Sequence, residues 1–284
     1  MKPPPNFHYR HRFPAEIISQ AVWLYHVFSL SLRDVELLLA ERGVVVSYES
    51  IRRWCDKFGA AFANKLRRRR PQPGDKWHLD EVFIRVQGEL QYLWRAVDQD
   101  GVVLDILVQS RRDAKAAKRF FKRLLRGLQY VPRVIVTDKL RSYGAAKREV
   151  LPDVEHRQSR YLNNRAENSH RPTRCRERQM QRFKSPRQAQ DFLFAHSFIY
   201  GHFRPRRHLL AAGSYRRARA QAFDVWDARD VCAERCLNSP TQCPVGRDRV
   251  NSVNVTMPAR VLRGAAVTAD RYRVGTWSVF RIRI

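Results

Sequence analysis

Three carboxylates draw notice by their surroundings: Asp80 in KWHLDEVFI, Asp138 in VIVTDKL and Glu167 in NNRAENSH. Basic residues stand close to the last two, Lys139 and Arg141 after Asp138, and Arg165 and Arg171 on either side of Glu167. Carboxylate oxygens are hard ligands that suit Mg²⁺ or Mn²⁺, and three acids are about the smallest set that holds two such ions. A pair of ions ~4 Å apart breaks a phosphodiester: one lowers the pKa of a water or a 3′ hydroxyl, and the other stabilises the leaving oxygen. The neighbouring Lys139, Arg141, Arg165 and Arg171 would neutralise phosphates entering the site.

Each acid also has a plain explanation. Asp80 suits a strand-end turn, Asp138 a helix N-cap, and Glu167 an ion pair with Arg171 four residues on. Glu81, Asp98 and Asp153 compete for the same role, although strand alternation sends Glu81 to the face opposite Asp80. His78, His156, His170 and His196 are dispersed, with no acid and nucleophile at a recognisable spacing, and are expected to face solvent or phosphate. No Walker A string, GxGxxG or GxSxG occurs, so ATP, dinucleotide and serine-hydrolase chemistry lose support.

The acids gain weight from the elements that must position them. After Pro71, Pro73 and Gly74 the apolar period is 2, giving strands over Lys76–Val86, Glu89–Asp98 and Val102–Gln109, with turns at Gly88 and at Asp98–Gly101. An amphipathic helix follows over Arg112–Leu128, with Ala116, Phe120, Leu124 and Leu128 along one side, then the buried strand Val131–Thr137. A helix over Lys139–Val150, a short strand over Val154–Gln158 and a long basic helix from Asn163 complete the order βββαβαβα. That is the order of a ribonuclease H-like α/β domain, a mixed sheet flanked by helices. There the first and fourth strands are neighbours, so Asp80 and Asp138 meet at one sheet edge and the late helix brings in Glu167.

The residues ahead of the sheet have helical period. One helix opens at Pro14 with Ile18, Val22 and Tyr25 inward; a second begins at the capping-box string Ser31-Leu32-Arg33-Asp34 and stops at Gly43. A third starts at Ser47, buries Ile51, Trp54 and Phe58, and leaves Arg52, Arg53 and Lys57 on its polar side. This all-α segment has the form of a helix-turn-helix module, with Arg67, Arg68, Arg69 and Arg70 as a basic linker that adds phosphate-binding donors. The expected organisation is 1–70 for helix-turn-helix and linker, 71–227 for the α/β domain, and 228–284 as an unassigned extension.

Composition supports a nucleic-acid partner. Fifty-five Lys and Arg against 27 Asp and Glu leave a net charge of +28, while 44% hydrophobic residues and six Trp mark a globular chain rather than a basic tail. With no apolar leader and no run long enough to span a bilayer, the chain is expected in a bacterial cytoplasm, near the nucleoid and away from membrane. Its five Cys are expected as free thiols; Cys232, Cys236 and Cys243 have no ordinary zinc spacing.

Taken in order, RHRFPAEIISQ, LSLRDVELLLAERGVVVSYESIRRW, WHLDEVFIRVQGELQYLWRAVDQDG, VIVTDKLRSYGAAKREV, VEHRQ and NNRAENSHRPTR resemble the DDE transposases of bacterial insertion sequences, in the insertion-sequence-six branch. The resemblance spans roughly residues 7 to 225. It implies a helix-turn-helix that reads terminal inverted repeats and an integrase-like core that cuts and joins double-stranded DNA, repeats and target alike, with Mg²⁺ or Mn²⁺. It also implies action as a homo-oligomer on DNA. Asp80, Asp138 and Glu167 match the family's three acids, and Arg174, seven residues past Glu167 on the same helical face, matches its basic residue. A DNA-binding regulator or inactive relic derived from a transposase would keep the basic surface and need none of the acids. A structural nucleic-acid-binding protein would explain the charge but not acids gathered at a sheet edge.

Overall fold

The computed structural model describes residues 11–226, apart from 71, 160, 181–182 and 206–209. The segment 228–284, with Cys232, Cys236 and Cys243, lies outside the described residues. Among those described, Cys55 and Cys175 are free thiols, and no helix is long and apolar enough to cross a membrane.

Three helices come first: α1 (Ala15–Val27), α2 (Leu32–Ala40) and α3 (Tyr48–Arg69). The Ser31 hydroxyl accepts from the Asp34 amide at 3.1 Å while the Asp34 carboxylate accepts from the Ser31 amide at 2.7 Å, so the expected capping box is formed. Gly43 takes a left-handed φ of +76° in the turn between α2 and α3. Ser47 caps α3 through the Ser50 amide.

A five-stranded sheet follows, from β1 (Lys76–Val86), β2 (Glu89–Asp98), β3 (Val103–Gln109), β4 (Val134–Thr137) and β5 (Glu155–Gln158). Its order is β3-β2-β1-β4-β5. The first three strands form an antiparallel meander; β4 runs parallel to β1, and β5 parallel to β4. Gln87 and Gly88 both have positive φ, which makes the β1–β2 connection a two-residue hairpin whose twist suits the strands. Helices α4 (Ala114–Leu128) and α5 (Arg141–Val150) supply the crossovers; α6 (Asn164–Gln179), α7 (Pro186–Phe203) and α8 (Ala212–Trp226) complete the described chain. This is the ribonuclease H-like arrangement, preceded by helices, that the periodicity predicts.

Two apolar clusters sandwich the sheet. Trp77, Leu79, Trp94, Leu104 and Ile135 meet α4 and α5 through Phe120, Phe121, Leu124 and Tyr143. On the other face Ile84, Val86, Leu93, Val97 and Ile106 share a core with Leu193 and Ile199 of α7, and also with Ile18, Val22, Ile51, Phe58 and Phe62 of α1 and α3. The amino-terminal helices therefore bury their apolar stripe against the α7 side of the sheet rather than closing a separate core. The expected basic linker also differs: α3 continues through Arg69, and only Arg70 is extended. Arg70 donates to the carbonyls of Val103 at 3.0 Å and Leu104 at 2.8 Å, and Arg67 pairs with the buried Asp105 at 3.5 Å, because the end of α3 packs on the edge strand.

Replacing the fully buried Phe58 by Ala is expected to cost ~3–5 kcal/mol. Because the core is shared, far-ultraviolet dichroism and tryptophan fluorescence should report one coincident urea transition, shifted to lower urea in the variant. Separate transitions for helices and sheet would show that the two parts fold independently.

Candidate active site

The site is set by a difference in strand length. Pairing between β1 and β4 ends at His78 opposite Val136, and β4 itself ends at Thr137, whereas β1 runs on to Val86. Continuing the register past the last pair brings Asp80 level with Asp138. Asp138 leaves the strand there, and its Oδ1 accepts from the Leu140 amide at 3.0 Å just ahead of α5. Across the notch, Asn163 Nδ2 donates to the Leu79 carbonyl at 2.8 Å, which lays the start of α6 over the open edge of β1. Two turns further along, on α6, His170 Nε2 stands 3.5 Å from Asp80 Oδ2.

Asp80, Glu81 and Asp138 each offer an oxygen, and these atoms lie within 4.8 Å of one another. The presence of Glu81 corrects the expectation that strand alternation keeps it away. Asp80 faces α6 and Glu81 faces α5, but with no residue of β4 beside them, both carboxyls reach round the open edge toward Asp138. Glu81 is held there by Tyr143 Oη and Arg112 Nε, each donating at 2.8 Å to a different oxygen. Burial and the neighbouring Glu81 and Asp138 push the Asp80 carboxyl up to about 7. Burial also raises Glu81, partly offset by the Tyr143 hydrogen bond. Hence the three groups repel one another where water screens them poorly.

Glu167 is exposed in the first turn of α6, outside the three-acid group but near enough to contribute to the upward shift of Asp80. It makes no ion pair with Arg171, which is itself exposed, as are Lys139 and Arg141 beside Asp138. Arg165 donates to the Gln99 carbonyl in the β2–β3 turn. Arg174 donates to the Phe83 carbonyl and pairs with Glu177 at 3.0 Å, one turn beyond His170. On α3, Arg52 bridges Glu49 at 2.7 Å and Asp56 at 2.9 Å, Arg53 pairs with Glu49 at 3.3 Å, and Lys57 meets His11.

Sequence reasoning missed what holds α6 in place. That helix has few apolar side chains and buries Ala166, His170, Thr173 and Arg176 instead. Arg95, opposite Asp80 on β2, donates to Thr173 Oγ1 at 3.2 Å and Ser197 Oγ at 3.1 Å, tying α6 and α7 to the sheet. Burial lowers the Arg95 guanidinium to about 10, and among the described residues no carboxylate forms an ion pair with it. Arg176 donates to the Leu30 carbonyl at 2.7 Å and lies 4.3 Å from the Tyr25 ring centre, linking α6 to the amino-terminal helices. His78, His170 and His196 are buried, contrary to the solvent-facing role expected, because they fill the polar layer under α6 and α7. Burial drives His170 well below its ordinary value, so it stands neutral beside Asp80. A sequence signal for Arg95 did exist: a lone charge at an inward position of the apolar string ELQYLWRAVD.

A mixed sheet with acids at this edge defines the class of polynucleotidyl transferases. A family profile described as a DDE domain matches residues 74–205. The transposase for insertion sequence-like element IS431mec of Staphylococcus aureus is 32% identical over 210 residues, covering 72% of this chain and 91% of that protein. The transposase for insertion sequence element IS257 in transposon Tn4003, also from Staphylococcus aureus, is 31% identical over 210 residues with the same coverage. The chain belongs to the DDE transposases of the insertion-sequence-six family. Among solved structures, the HTLV-2 integrase catalytic core domain in complex with magnesium is 12% identical with a TM-score of 0.29, covering 44% of this chain and 99% of that one.

The donor set fits the divalent metal that this family implies. Oxygen-only ligands converge within one ion's coordination reach, and Asp80 is held in a state that a cation would relieve. Since the folded pKa of Asp80 lies above the ordinary aspartate value of 3.8, ionising it costs stability; the cost is absent below that value, grows as pH rises, and is complete above about 7. In metal-free buffer Asp80→Asn should therefore melt a few degrees higher than wild type at pH 8, with the gain vanishing near pH 4. An equal or lower melting temperature at pH 8 would show that the acids do not repel one another as described.

Proposed function

We propose that this transposase binds the terminal inverted repeats of its insertion sequence and carries out both strand cleavage and strand transfer, with Asp80, Asp138 and Glu167 as the catalytic acids. The observation that carries this reading is Asp80 and Asp138 brought together at the notch, with the helix bearing Glu167 laid across it. Asp80, Asp138 and Glu167 would hold a pair of Mg²⁺ or Mn²⁺ ions, which would supply activation of the attacking hydroxyl and stabilisation of the leaving oxygen. Asp80, buried beneath α6, orients its carboxylate between Asp138 and His170, and Asn163 fixes the edge that α6 crosses. Glu167, exposed at the start of α6, is the third acid, on the helix that crosses the edge where the other two meet. Glu81, whose two oxygens are already taken by Tyr143 and Arg112, positions that wall and adds negative charge without needing to be a ligand.

The DNA path we infer runs over Lys139, Arg141 and Arg171 at the mouth of the site, all exposed and basic. Residues 1–70 serve to read the repeats, with the polar side of α3 at Arg52, Arg53 and Lys57 as the reading face. Residues 71–227 serve as the catalytic part. Arg67, Arg68, Arg69 and Arg70 at the end of α3 add to this phosphate-binding surface, with Arg67 and Arg70 also contacting β3. Arg174, on the same face of α6 as Glu167 and held by the Phe83 carbonyl and Glu177, is the basic member of the catalytic set. Pairing two ends of one element calls for a homo-oligomer on DNA, with the cytoplasm and nucleoid as the place of action.

Strand transfer by the purified protein on a labelled end with Mg²⁺ tests the reading. Asp80→Ala, Asp138→Ala and Glu167→Ala should each reduce joining by about 100-fold or more while leaving DNA binding intact. A wild-type protein that binds DNA but never joins it would instead be a regulator or relic.

A further inference from the structure

Beside the acids lies a groove whose lining, Arg174 apart, has no part in the proposed chemistry. It has a volume of about 1200 Å³ and is lined by Phe83, Arg85, Leu90, Arg174, Glu177 and Lys184, among others. The groove exists for the same reason as the notch: past the end of β4 no named strand among the described residues pairs with the edge of β1, which is met instead by Arg174 and Glu177 of α6 and by the bridge from Phe183 to Val86. Phe83 and Arg85 point to the same face of β1 as Glu81, and across the hairpin they pair with Tyr92 and Leu90. Phe83 is 46% exposed and Leu90 47%, an uncommon state for large apolar side chains on adjacent strands.

The chemistry of the lining selects one kind of occupant. Arg85, Arg174 and Lys184 supply three cations against the single acid Glu177, which is itself bonded to Arg174 and to the Arg85 amide. The Phe83 ring packs 5.4 Å from Tyr92 and has the Arg112 guanidinium 5.8 Å from its centre, leaving a half-open aromatic platform. An aromatic platform bordered by cations is what unpaired nucleotides need: bases stack on the ring while phosphates take the charges. Duplex offers its phosphates but not its base faces. Phe83 is the next residue after Glu81 on its face of β1, ~7 Å along the strand, about one nucleotide's reach from the acids.

We propose that this groove holds the unpaired end of a DNA strand next to the scissile phosphate, with a base stacked on Phe83 and the backbone on Arg85, Arg174 and Lys184. The inference rests on the reading of the acids as the site of DNA cutting, and it adds that a few nucleotides at the end are separated from their complement when bound.

Full-length protein in metal-free buffer, titrated into fluorescein-labelled oligothymidine and, separately, into a mixed-sequence duplex, tests it by anisotropy. Phe83→Ala should weaken oligothymidine binding roughly tenfold, Phe83→Trp should restore it, and Lys184→Glu should weaken it too, while duplex binding by Phe83→Ala stays at the wild-type value. Oligothymidine binding unchanged in Phe83→Ala, or equal losses for both DNAs that Phe83→Trp does not restore, overturns the groove. Joining by the wild type, measured alongside on duplex ends, separates that result from failure of the transposase reading: normal joining with no effect at Phe83 removes the groove alone.

Discussion

Like charges are crowded where β1 outruns β4, and the surrounding structure is arranged to tolerate that crowding. A parallel neighbour four residues long leaves the second half of an eleven-residue strand uncovered on one side. Into that gap fall Asp80 and Glu81 from the two faces of β1 and Asp138 from the end of β4. Repulsion among them is held in check by Tyr143 and Arg112, which fix Glu81, while the buried His170 stands 3.5 Å from Asp80. A divalent ion is the partner that would satisfy the remaining oxygens of Asp80 and Asp138 together.

The lid over this gap is a polar one. Helix α6 cannot be held by an apolar stripe, since its inward residues include His170, Thr173 and Arg176. Buried Arg95 and Arg176 replace that stripe with directed hydrogen bonds, one to α7 and the sheet, the other to the carbonyls that follow α1. Directed bonds specify register more sharply than apolar contact does, at the cost of buried charge. The helix that carries Glu167 is thereby connected physically both to the catalytic sheet and to the amino-terminal helices.

Much of this was legible in the sequence because local rules and global topology agree. The alternation in KWHLDEVFIRV and ELQYLWRAVD, the turn at Gly88 and the buried string VIVT each set one element, and their order leaves one topology in which Asp80 and Asp138 are neighbours. Ser31 and Ser47 announced their helices through their side chains. What was not legible depended on where strands stop. Alternation alone separates Asp80 from Glu81, and only the early end of β4 lets both reach Asp138. The fate of the arginine run was hidden for a related reason, because nothing local says that α3 continues to Arg69 or that Arg70 finds the carbonyls of Val103 and Leu104. The buried histidines were misjudged because what covers them is distant in sequence: His196 on α7 meets the carbonyl of His26, and His170 on α6 stands beside Asp80 of β1.

Calorimetric titration of the metal-free protein with Mn²⁺ bears most directly on the central claim that the acids at the notch form a metal centre. Wild type should bind, Asp80→Asn and Asp138→Asn should each weaken binding by at least about tenfold, and Glu81→Gln, whose side chain keeps its place against Tyr143, should weaken it much less. Mn²⁺ binding that is unchanged in both Asp80→Asn and Asp138→Asn would contradict the account.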